Sequence, residues 1–169
     1  MVIGGVAVIA HGVPRLTIDI DATVVATAVT PAKAAAALAQ MGILPRIPDA
    51  ESFAAQHHVL LCVHEASGTP VDLSFAWLPF EEEALSLSEA CDYAGVAIRI
   101  PRSEDLVIYK LVASRPRDVD DAEALMILHG AEMNLARVRR VVGEFSALLE
   151  DDQRVNMLER LIQKARLEP

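Results

Sequence analysis

The sequence predicts an α+β protein in which a small mixed sheet flanked by helices is followed by a C-terminal helical region. Short apolar and β-branched runs of strand length recur up to Ile100, and helical patterns without further strands follow. A chain of 169 residues can bury one sizeable core together with a helical appendage. We therefore predict a core domain at residues 1–100 and a helical region at residues 101–169.

The predicted elements of the first part follow from apolar runs separated by glycine and proline. Up to residue 41 they are, in order, a strand at 2–3, a short helix at 6–11, a Gly12-Val13-Pro14 turn, a strand at 17–25 and a helix at 31–41. Pro31 suits the first turn of this alanine-rich helix, and Gly42 suits its end.

The same criteria predict the elements from residue 59 onward. They are strands at 59–64 and 71–75, a helix at 81–90, a strand at 96–100 and a helix at 104–114 with Ser103 as its N-cap. Ser67-Gly68-Thr69-Pro70 has the turn chemistry that joins two strands. Two or three further helices follow, with breaks near Gly130 and at Glu150-Asp151-Asp152.

Three carboxylates lie within predicted strands, among apolar residues. Asp19 and Asp21 are two residues apart, so both side chains would project from one face of a strand at 17–25. Like charges on one face repel, and a bound cation would compensate them. Asp72 would lie beside them if the strand at 71–75 pairs nearby. Because no Cys or His ligand motif accompanies these acids, they favour Mg²⁺ or Mn²⁺ over zinc, with a nucleoside triphosphate as the companion of the ion.

A simpler interpretation of these acids stays open. Asp19 and Asp21 would be exposed acids on one face of a strand, alternating with apolar neighbours. Asp72 would be an acid at a hairpin edge, near Gly68-Thr69-Pro70. Under this interpretation the sheet needs no metal ion.

The ordered blocks in the sequence resemble a known superfamily. Gly4-Gly5, Asp19-Ile20-Asp21 and the apolar-flanked Asp72 are similar to the signature of the DNA polymerase β-like nucleotidyltransferases, over residues 1–77. Within that superfamily, residues 15–21 resemble the first motif of the nucleotidyltransferase-type toxins of bacterial toxin-antitoxin pairs and of their uncharacterised relatives. Residues 104–121 resemble the helical motif of the same proteins. The resemblance implies a small mixed nucleotidyltransferase sheet.

The resemblance implies a metal-dependent nucleotidyltransferase that moves a nucleoside monophosphate from an NTP to a hydroxyl and releases pyrophosphate. Gly4 and Gly5 would let the backbone approach the phosphates, and Thr17 would bind a phosphate oxygen. Asp19 and Asp21 would bridge two metal ions. Asp72 would complete the second metal site and help to deprotonate the acceptor.

The helical motif contributes further candidates. Lys110 would stabilise charge on the triphosphate, and Asp118 and Asp121 would belong to the nucleotide site. Alternatively, Lys110 is a surface lysine whose stem covers apolar neighbours. Separately, Asp118 and Asp121 could instead orient Lys110 or Arg117, or simply be the N-terminal acids of a helix at 119–129.

Composition bounds the location and the partners. A net charge of −9 argues against non-specific nucleic-acid binding, and no apolar run is long enough to imply a membrane span. Two cysteines and no targeting segment point to the cytoplasm. The expected partners are an NTP donor and an acceptor that the sequence leaves open among RNA, protein and small molecules. A toxin role would add an antitoxin.

Two further functions stay open. In the resembled families a helix and the rest of a strand precede the glycine pair, whereas only Met1-Val2-Ile3 precedes it here, so the N-terminal helix is expected to be missing. A clipped strand would expose apolar surface that a homodimer could cover. The alternative function is therefore a catalytically inactive binding or interaction protein with the nucleotidyltransferase fold. A phosphohydrolase would release orthophosphate in place of pyrophosphate.

Overall fold

A computed structural model describes residues 1–167 of the chain. These residues form eight helices, a mixed five-stranded sheet and a two-stranded sheet, so the predicted α+β class is confirmed. The chain divides into two units. The first comprises Met1–Ala7 and Arg15–Ile100, and the second comprises Val8–Pro14 and the described residues from Pro101 onward. The division into a core domain at residues 1–100 and a helical region at residues 101–169 stays a prediction.

The first unit is built on the five-stranded sheet. Its strands are β1 (Val2–Ile3), β2 (Ile20–Val25), β3 (Ile43–Pro45), β4 (Val59–His64) and β5 (Thr69–Ala76). They lie in the order β1-β2-β5-β4-β3, and β2 and β5 are parallel while all other neighbours are antiparallel. In the parallel pair, Asp21 of β2 lies opposite Asp72 of β5. This register determines the position of the candidate site.

One face of this sheet is covered by helices. The first unit contains the start of α1 (Gly4–Ala10), then α2 (Pro31–Ala39), α3 (Ala50–His57) and α4 (Pro79–Ser86). Leu60, Leu73 and Phe75 form a buried core with alanines of α2 and α3, and Ala22 packs against it. Because side chains alternate along a strand, Asp21 and Asp72 project from the other face.

The two-stranded sheet also belongs to the first unit. It is an antiparallel hairpin of β6 (Glu89–Tyr93) and β7 (Val96–Ile100). Its turn contains Ala94 and Gly95, both with positive φ angles, and Gly95 donates its backbone N–H to Asp92 Oδ1 at 3.1 Å. This side-chain acceptor stabilises the tight connection between the two strands.

The second unit is helical. Its helices α5 (Ser103–Ala113), α6 (Pro116–His129), α7 (Leu135–Leu148) and α8 (Gln153–Ala165) bury a shared apolar core that includes Leu106, Ile108, Leu125, Val138 and Ile162. Val8–Pro14 is tied to these helices by hydrogen bonds of histidine. His11 Nε2 bonds to the Pro101 carbonyl, and His129 Nε2 bonds to the His11 carbonyl, both at 2.8 Å.

Several local predictions differ from the structure. The helix predicted at 81–90 ends at Ser86, and Ala90 lies in β6. Ser103 is the first residue of α5 and Arg102 is its N-cap. Neither β3 nor α3 was predicted, because a three-residue strand and a short helix with few apolar residues carry almost no periodic signal. Among residues 1–167, no helix combines the length and the apolar character that crossing a bilayer requires.

Candidate active site

Gly4 and Asp21 are in direct contact at the end of β1. Ile3 of β1 is the register partner of Asp21, and the next residue, Gly4, has a φ angle of +61°. A β-carbon on Gly4 would lie 2.7 Å from the carboxyl carbon of Asp21, which is far inside van der Waals contact. Glycine is therefore required here both for the left-handed backbone and for the space that the Asp21 carboxylate occupies.

Gly5 accommodates a second polar side chain in the same way. A β-carbon on Gly5 would lie 2.9 Å from the β-carbon of Thr17. The hydroxyl of Thr17 donates a hydrogen bond of 2.7 Å to Asp19 Oδ1. The glycine pair therefore makes room for the polar side of the segment that carries Thr17, Asp19 and Asp21.

Residues 17–19 do not belong to a strand, which corrects the strand predicted at 17–25. The observed β2 begins at Ile20, so Thr17 and Asp19 lie in the segment that leads into it. Exposed and half-buried side chains nevertheless alternate through this segment, but here the apolar residues are the exposed ones. Leu16 and Ile18 are 84% and 82% exposed, whereas Thr17, Asp19 and Asp21 are half-buried. An apolar residue normally takes the inner position, so this inversion favours a functional role for the polar side.

Asp72 is bound by an arginine that sequence analysis missed. Arg46 directly follows β3, and its guanidinium binds both carboxylate oxygens of Asp72, with Nη1 on Oδ1 and Nη2 on Oδ2 at 3.1 Å. Nη1 also donates to the carbonyl oxygen of Cys62 at 2.7 Å. The hydrogen bond with Asp72 raises the pKa of Arg46, so the guanidinium stays charged.

A signal for Arg46 exists in the sequence. Arg46 is the single Lys or Arg between Lys33 and Arg99, a stretch that contains several acids. An isolated cationic side chain in an acidic stretch indicates an ion pair, and in the structure Arg46 pairs with Asp72. Arg15 is a second arginine that analysis did not assign, and its guanidinium carbon would lie 3.2 Å from a β-carbon on Gly5.

The donor chemistry of this site suits a hard divalent cation, although the ligands are not assembled. Asp21 and Asp72 are opposite one another on parallel strands, and Asp19 precedes Asp21 by two residues. Carboxylate oxygens of this kind are the ligands that Mg²⁺ and Mn²⁺ prefer. Among residues 1–167, however, no three His, Cys, Asp or Glu side chains are already placed to hold a metal ion. Both oxygens of Asp72 are bound by Arg46, which explains part of this arrangement.

Lys110, Asp118 and Asp121 form a buried ionic cluster in the second unit. The Lys110 ammonium lies 3.1 Å from Asp118 Oδ1 and 2.8 Å from Asp121 Oδ2. All three residues are buried, so Lys110 is not the surface lysine of the simpler interpretation. The two acids orient Lys110, which is one of the alternatives predicted for them from the sequence. The catalytic assignment of Lys110 stays a prediction.

Arg115 completes this ionic cluster. Its Nε donates to Asp118 Oδ2 at 2.5 Å. Arg115 lies in the stretch 104–121 that resembles the helical motif, but no role was predicted for it. Burial by itself would raise the pKa of Asp118. The hydrogen bonds from Arg115 and Lys110 outweigh this effect, and the pKa of Asp118 falls below its ordinary value of 3.8.

A second buried ion pair in the helical unit was also missed. Asp105 of α5 accepts a hydrogen bond of 2.9 Å from Arg137 Nε of α7, and both residues are buried. Arg102 Nε lies 3.3 Å from the other oxygen of Asp105. Asp105 therefore has a structural partner on each oxygen, and the acid that precedes Lys110 in the helical motif joins two helices.

These features define an α+β protein whose mixed sheet carries an acidic site behind a glycine pair, together with a buried lysine–aspartate cluster in its helical unit. The model of the family described as "Nucleotidyltransferase of unknown function (DUF6036)" matches residues 1–166. Since this match spans nearly the whole chain, the protein belongs to that family. None of the curated proteins matches the chain.

Proposed function

We propose that the protein is a metal-dependent nucleotidyltransferase. It would transfer a nucleoside monophosphate from an NTP to a hydroxyl and release pyrophosphate. Membership in a nucleotidyltransferase family supports the reaction class. The observation that carries the assignment to these residues is the register of Asp21 with Asp72, beside a Gly4 that leaves room for the Asp21 carboxylate.

Asp19, Asp21 and Asp72 are the residues that would hold Mg²⁺ or Mn²⁺. When bound, such an ion neutralises the charge that develops on the phosphates and lowers the pKa of an attacking hydroxyl. Thr17 would donate its hydroxyl to a phosphate oxygen. Asp72 would accept the proton of the acceptor hydroxyl while the hydroxyl oxygen bonds to the α-phosphorus of the NTP. The bond between the α-phosphorus and the oxygen that bridges it to the β-phosphate breaks, and pyrophosphate leaves.

Lys110 is assigned to the triphosphate through the resemblance of residues 104–121 to the helical motif. Its ammonium has a defined position because Asp118 and Asp121 hold it from two sides. A fixed cation costs no reorganisation when negative charge develops, which is the requirement for electrostatic stabilisation. Asp118 and Asp121 act through Lys110 under this proposal and are positioning residues.

A toxin role is a finer proposal, and it rests on the similarity of residues 15–21 and 104–121 to toxin-antitoxin nucleotidyltransferases. Expression of the chain would then arrest growth, and a protein from the neighbouring reading frame would relieve the arrest. The acceptor would be RNA, a protein side chain or a small molecule. An Asp21→Asn chain that arrests growth as strongly as the natural chain would contradict a catalytic toxin.

The reaction itself is tested by incubating the chain with Mg²⁺ and α-³²P-labelled NTPs in the presence of a total cell extract as the acceptor source. Label transferred to a macromolecule or metabolite, with pyrophosphate as the other product, supports the proposal. Orthophosphate release without label transfer would identify a phosphohydrolase instead. Asp72→Asn is the control variant, because it removes one proposed ligand while keeping the size of the side chain.

A non-catalytic interaction protein with the same fold is the second candidate. The exposed Leu16 and Ile18 favour it, since adjacent exposed apolar side chains of this size often mark protein contacts. A homodimer through this surface would make the sedimentation coefficient depend on concentration. The Leu16→Ser/Ile18→Ser variant would then sediment as a monomer at every concentration.

A further inference from the structure

We propose that Arg46 is a polyphosphate-binding residue of the acidic site, which holds Asp72 until a divalent ion takes that carboxylate and then transfers its guanidinium to the phosphates of the nucleotide. This inference rests on the proposed function, because it assumes that the carboxylates bind a metal–triphosphate complex. It adds a residue that the motif resemblance does not include.

Arg46 is held by its backbone, and its partly exposed guanidinium binds Asp72 and, through Nη1, the Cys62 carbonyl at 2.7 Å. Its backbone N–H donates to the Leu61 carbonyl at 3.0 Å, so the α-carbon is held beside β4. The side chains of Arg46 and Asp72 remain 32% and 28% exposed. A guanidinium with solvent on one side can change partners without repacking the core.

Arg46 and a divalent ion compete for the same atoms. The guanidinium binds both oxygens of Asp72, and a metal ion needs at least one of them. Two cations on one carboxylate also repel each other. Metal binding at Asp72 therefore weakens the hydrogen bonds between Arg46 and this residue and favours release of the guanidinium.

The released guanidinium would find its best new partner in a phosphate. Arginine presents a planar set of N–H donors that matches phosphate oxygens as well as it matches a carboxylate. Asp72 is the register partner of Asp21, so the guanidinium bound to Asp72 lies at the same acidic site. A metal–triphosphate complex bound there would bring phosphate oxygens to the guanidinium as the metal displaces it from Asp72.

The test compares two probes on each variant by titration calorimetry. The first probe is Mn²⁺ alone, and the second is the Mg²⁺ complex of each of the four α,β-methylene nucleoside triphosphates, which resist transfer. The variants are Arg46→Gln, Arg46→Lys and the Asp19→Asn/Asp21→Asn double variant. Arg46→Lys keeps the charge and loses the two-pronged geometry. It replaces Arg46→Gln in the binding comparison if Arg46→Gln does not fold.

Arg139→Gln is the matched control. Arg139 makes a comparable two-pronged pair with Glu159, at 2.8 and 2.9 Å, with side chains 35% and 42% exposed. It belongs to the second unit, where its pair with Glu159 joins α7 to α8. Thermal unfolding of the two glutamine variants therefore separates the loss of an arginine–carboxylate pair from an effect on the acidic site.

The proposal predicts opposite effects on the two probes. Arg46→Gln should bind Mn²⁺ alone about three- to fivefold more tightly, because a partly exposed competing cation is gone. The same variant should bind the nucleotide complex about tenfold more weakly, because a charge-assisted phosphate contact is lost. Arg46→Lys should be intermediate for the nucleotide, and Arg139→Gln should match the natural chain for both probes.

Other outcomes overturn the proposal in distinguishable ways. If Arg46→Gln binds both probes as the natural chain does, while Asp19→Asn/Asp21→Asn loses them, Arg46 is only a structural ion pair and the proposed function stands. If Arg46→Gln weakens both probes equally, Arg46 supports the carboxylates and does not compete with the metal. If the natural chain binds neither probe, the proposed function fails and the role of Arg46 fails with it.

Discussion

A β-carbon on Gly4 would lie 2.7 Å from the carboxyl carbon of Asp21, so these two residues fit together only because Gly4 has no side chain. The contact links the first residue of α1 to the Asp21–Asp72 pair of the parallel β2–β5 ladder. The glycine pair therefore has a structural role, because it leaves space for the Asp21 carboxylate. This role adds to the expected one, in which glycine lets the backbone approach the phosphates.

Gly4→Ala should therefore destabilise the protein more than an ordinary left-handed glycine does. Gly68→Ala is the matched control, because Gly68 also has a positive φ angle, +70°, and a β-carbon there meets nothing within 4 Å. We expect Gly68→Ala to lower the free energy of unfolding by about 1–2 kcal/mol, from backbone strain alone. Gly4→Ala should cost about 1–3 kcal/mol more, because the Asp21 side chain must move. Equal losses in urea unfolding would contradict the contact.

Removal of the Lys110 charge should be strongly destabilising. Lys110→Met removes the ammonium that lies between the Asp118 and Asp121 carboxylates, in a buried environment. Breaking a buried ion pair in this way should lower the free energy of unfolding by about 3–5 kcal/mol. Urea unfolding followed by circular dichroism measures this loss.

Two controls accompany this prediction. Lys164→Met removes an exposed pair with Glu123 and should cost less than about 1 kcal/mol. The triple variant Lys110→Met/Asp118→Asn/Asp121→Asn also removes the two buried carboxylate charges and should regain part of the lost stability. A Lys110→Met protein as stable as Lys164→Met would show that the buried cluster does not form.

Stability should depend on Asp118 at acid pH. Its pKa is lowered on folding from the ordinary value of 3.8, so the unfolded chain takes up a proton more readily than the folded one. The stabilisation is complete above the unfolded value and is lost as the pH falls through the lower folded value. The difference in unfolding free energy between the natural chain and Asp118→Asn should therefore be largest near neutral pH and shrink below about pH 4. A difference that stays constant down to low pH would contradict this account.

The two thiols should differ in reactivity. Cys62 is fully buried in β4, and burial raises the pKa of its thiol, whereas Cys91 of β6 is partly exposed. Reaction of Cys62 with a disulfide reagent requires local opening, so it should be slower than that of Cys91 by more than about two orders of magnitude. Cys91→Ser should remove the fast phase of labelling. A fast phase that persists in this variant would mean that Cys62 is accessible.

The strands with long apolar runs between turn residues were predictable from the sequence. The predicted strands at 59–64 and 96–100 match β4 and β7. The turn that joins the antiparallel β4 and β5 lies at residues 65–68, and Thr69 and Pro70 of the predicted turn belong to β5. Asp72 was expected beside Asp21 because both lie in apolar strands, and the parallel register places them opposite each other. Local pattern was sufficient for these elements.

The parts that the sequence did not predict depend on contacts between distant residues. Arg46 follows a three-residue strand, and its pairing with Asp72 requires β3 and β5 to flank β4, which no local pattern encodes. The burial of Lys110 depends on acids of the following helix. The exposed Leu16 and Ile18 contradict the usual apolar-inward rule, because the polar side of this segment lies against the glycine pair.

The most direct test of the central claim is calorimetric binding of each Mg²⁺·NTP to the natural chain and to Asp19→Asn/Asp21→Asn. Asp92→Asn is the control, since Asp92 caps the β6–β7 turn and has no part in the proposed site. We expect selective binding to the natural chain and to Asp92→Asn, and loss of binding in the double variant with the fold intact by circular dichroism. Unchanged Mg²⁺·NTP affinity in the double variant would contradict the assignment of the site.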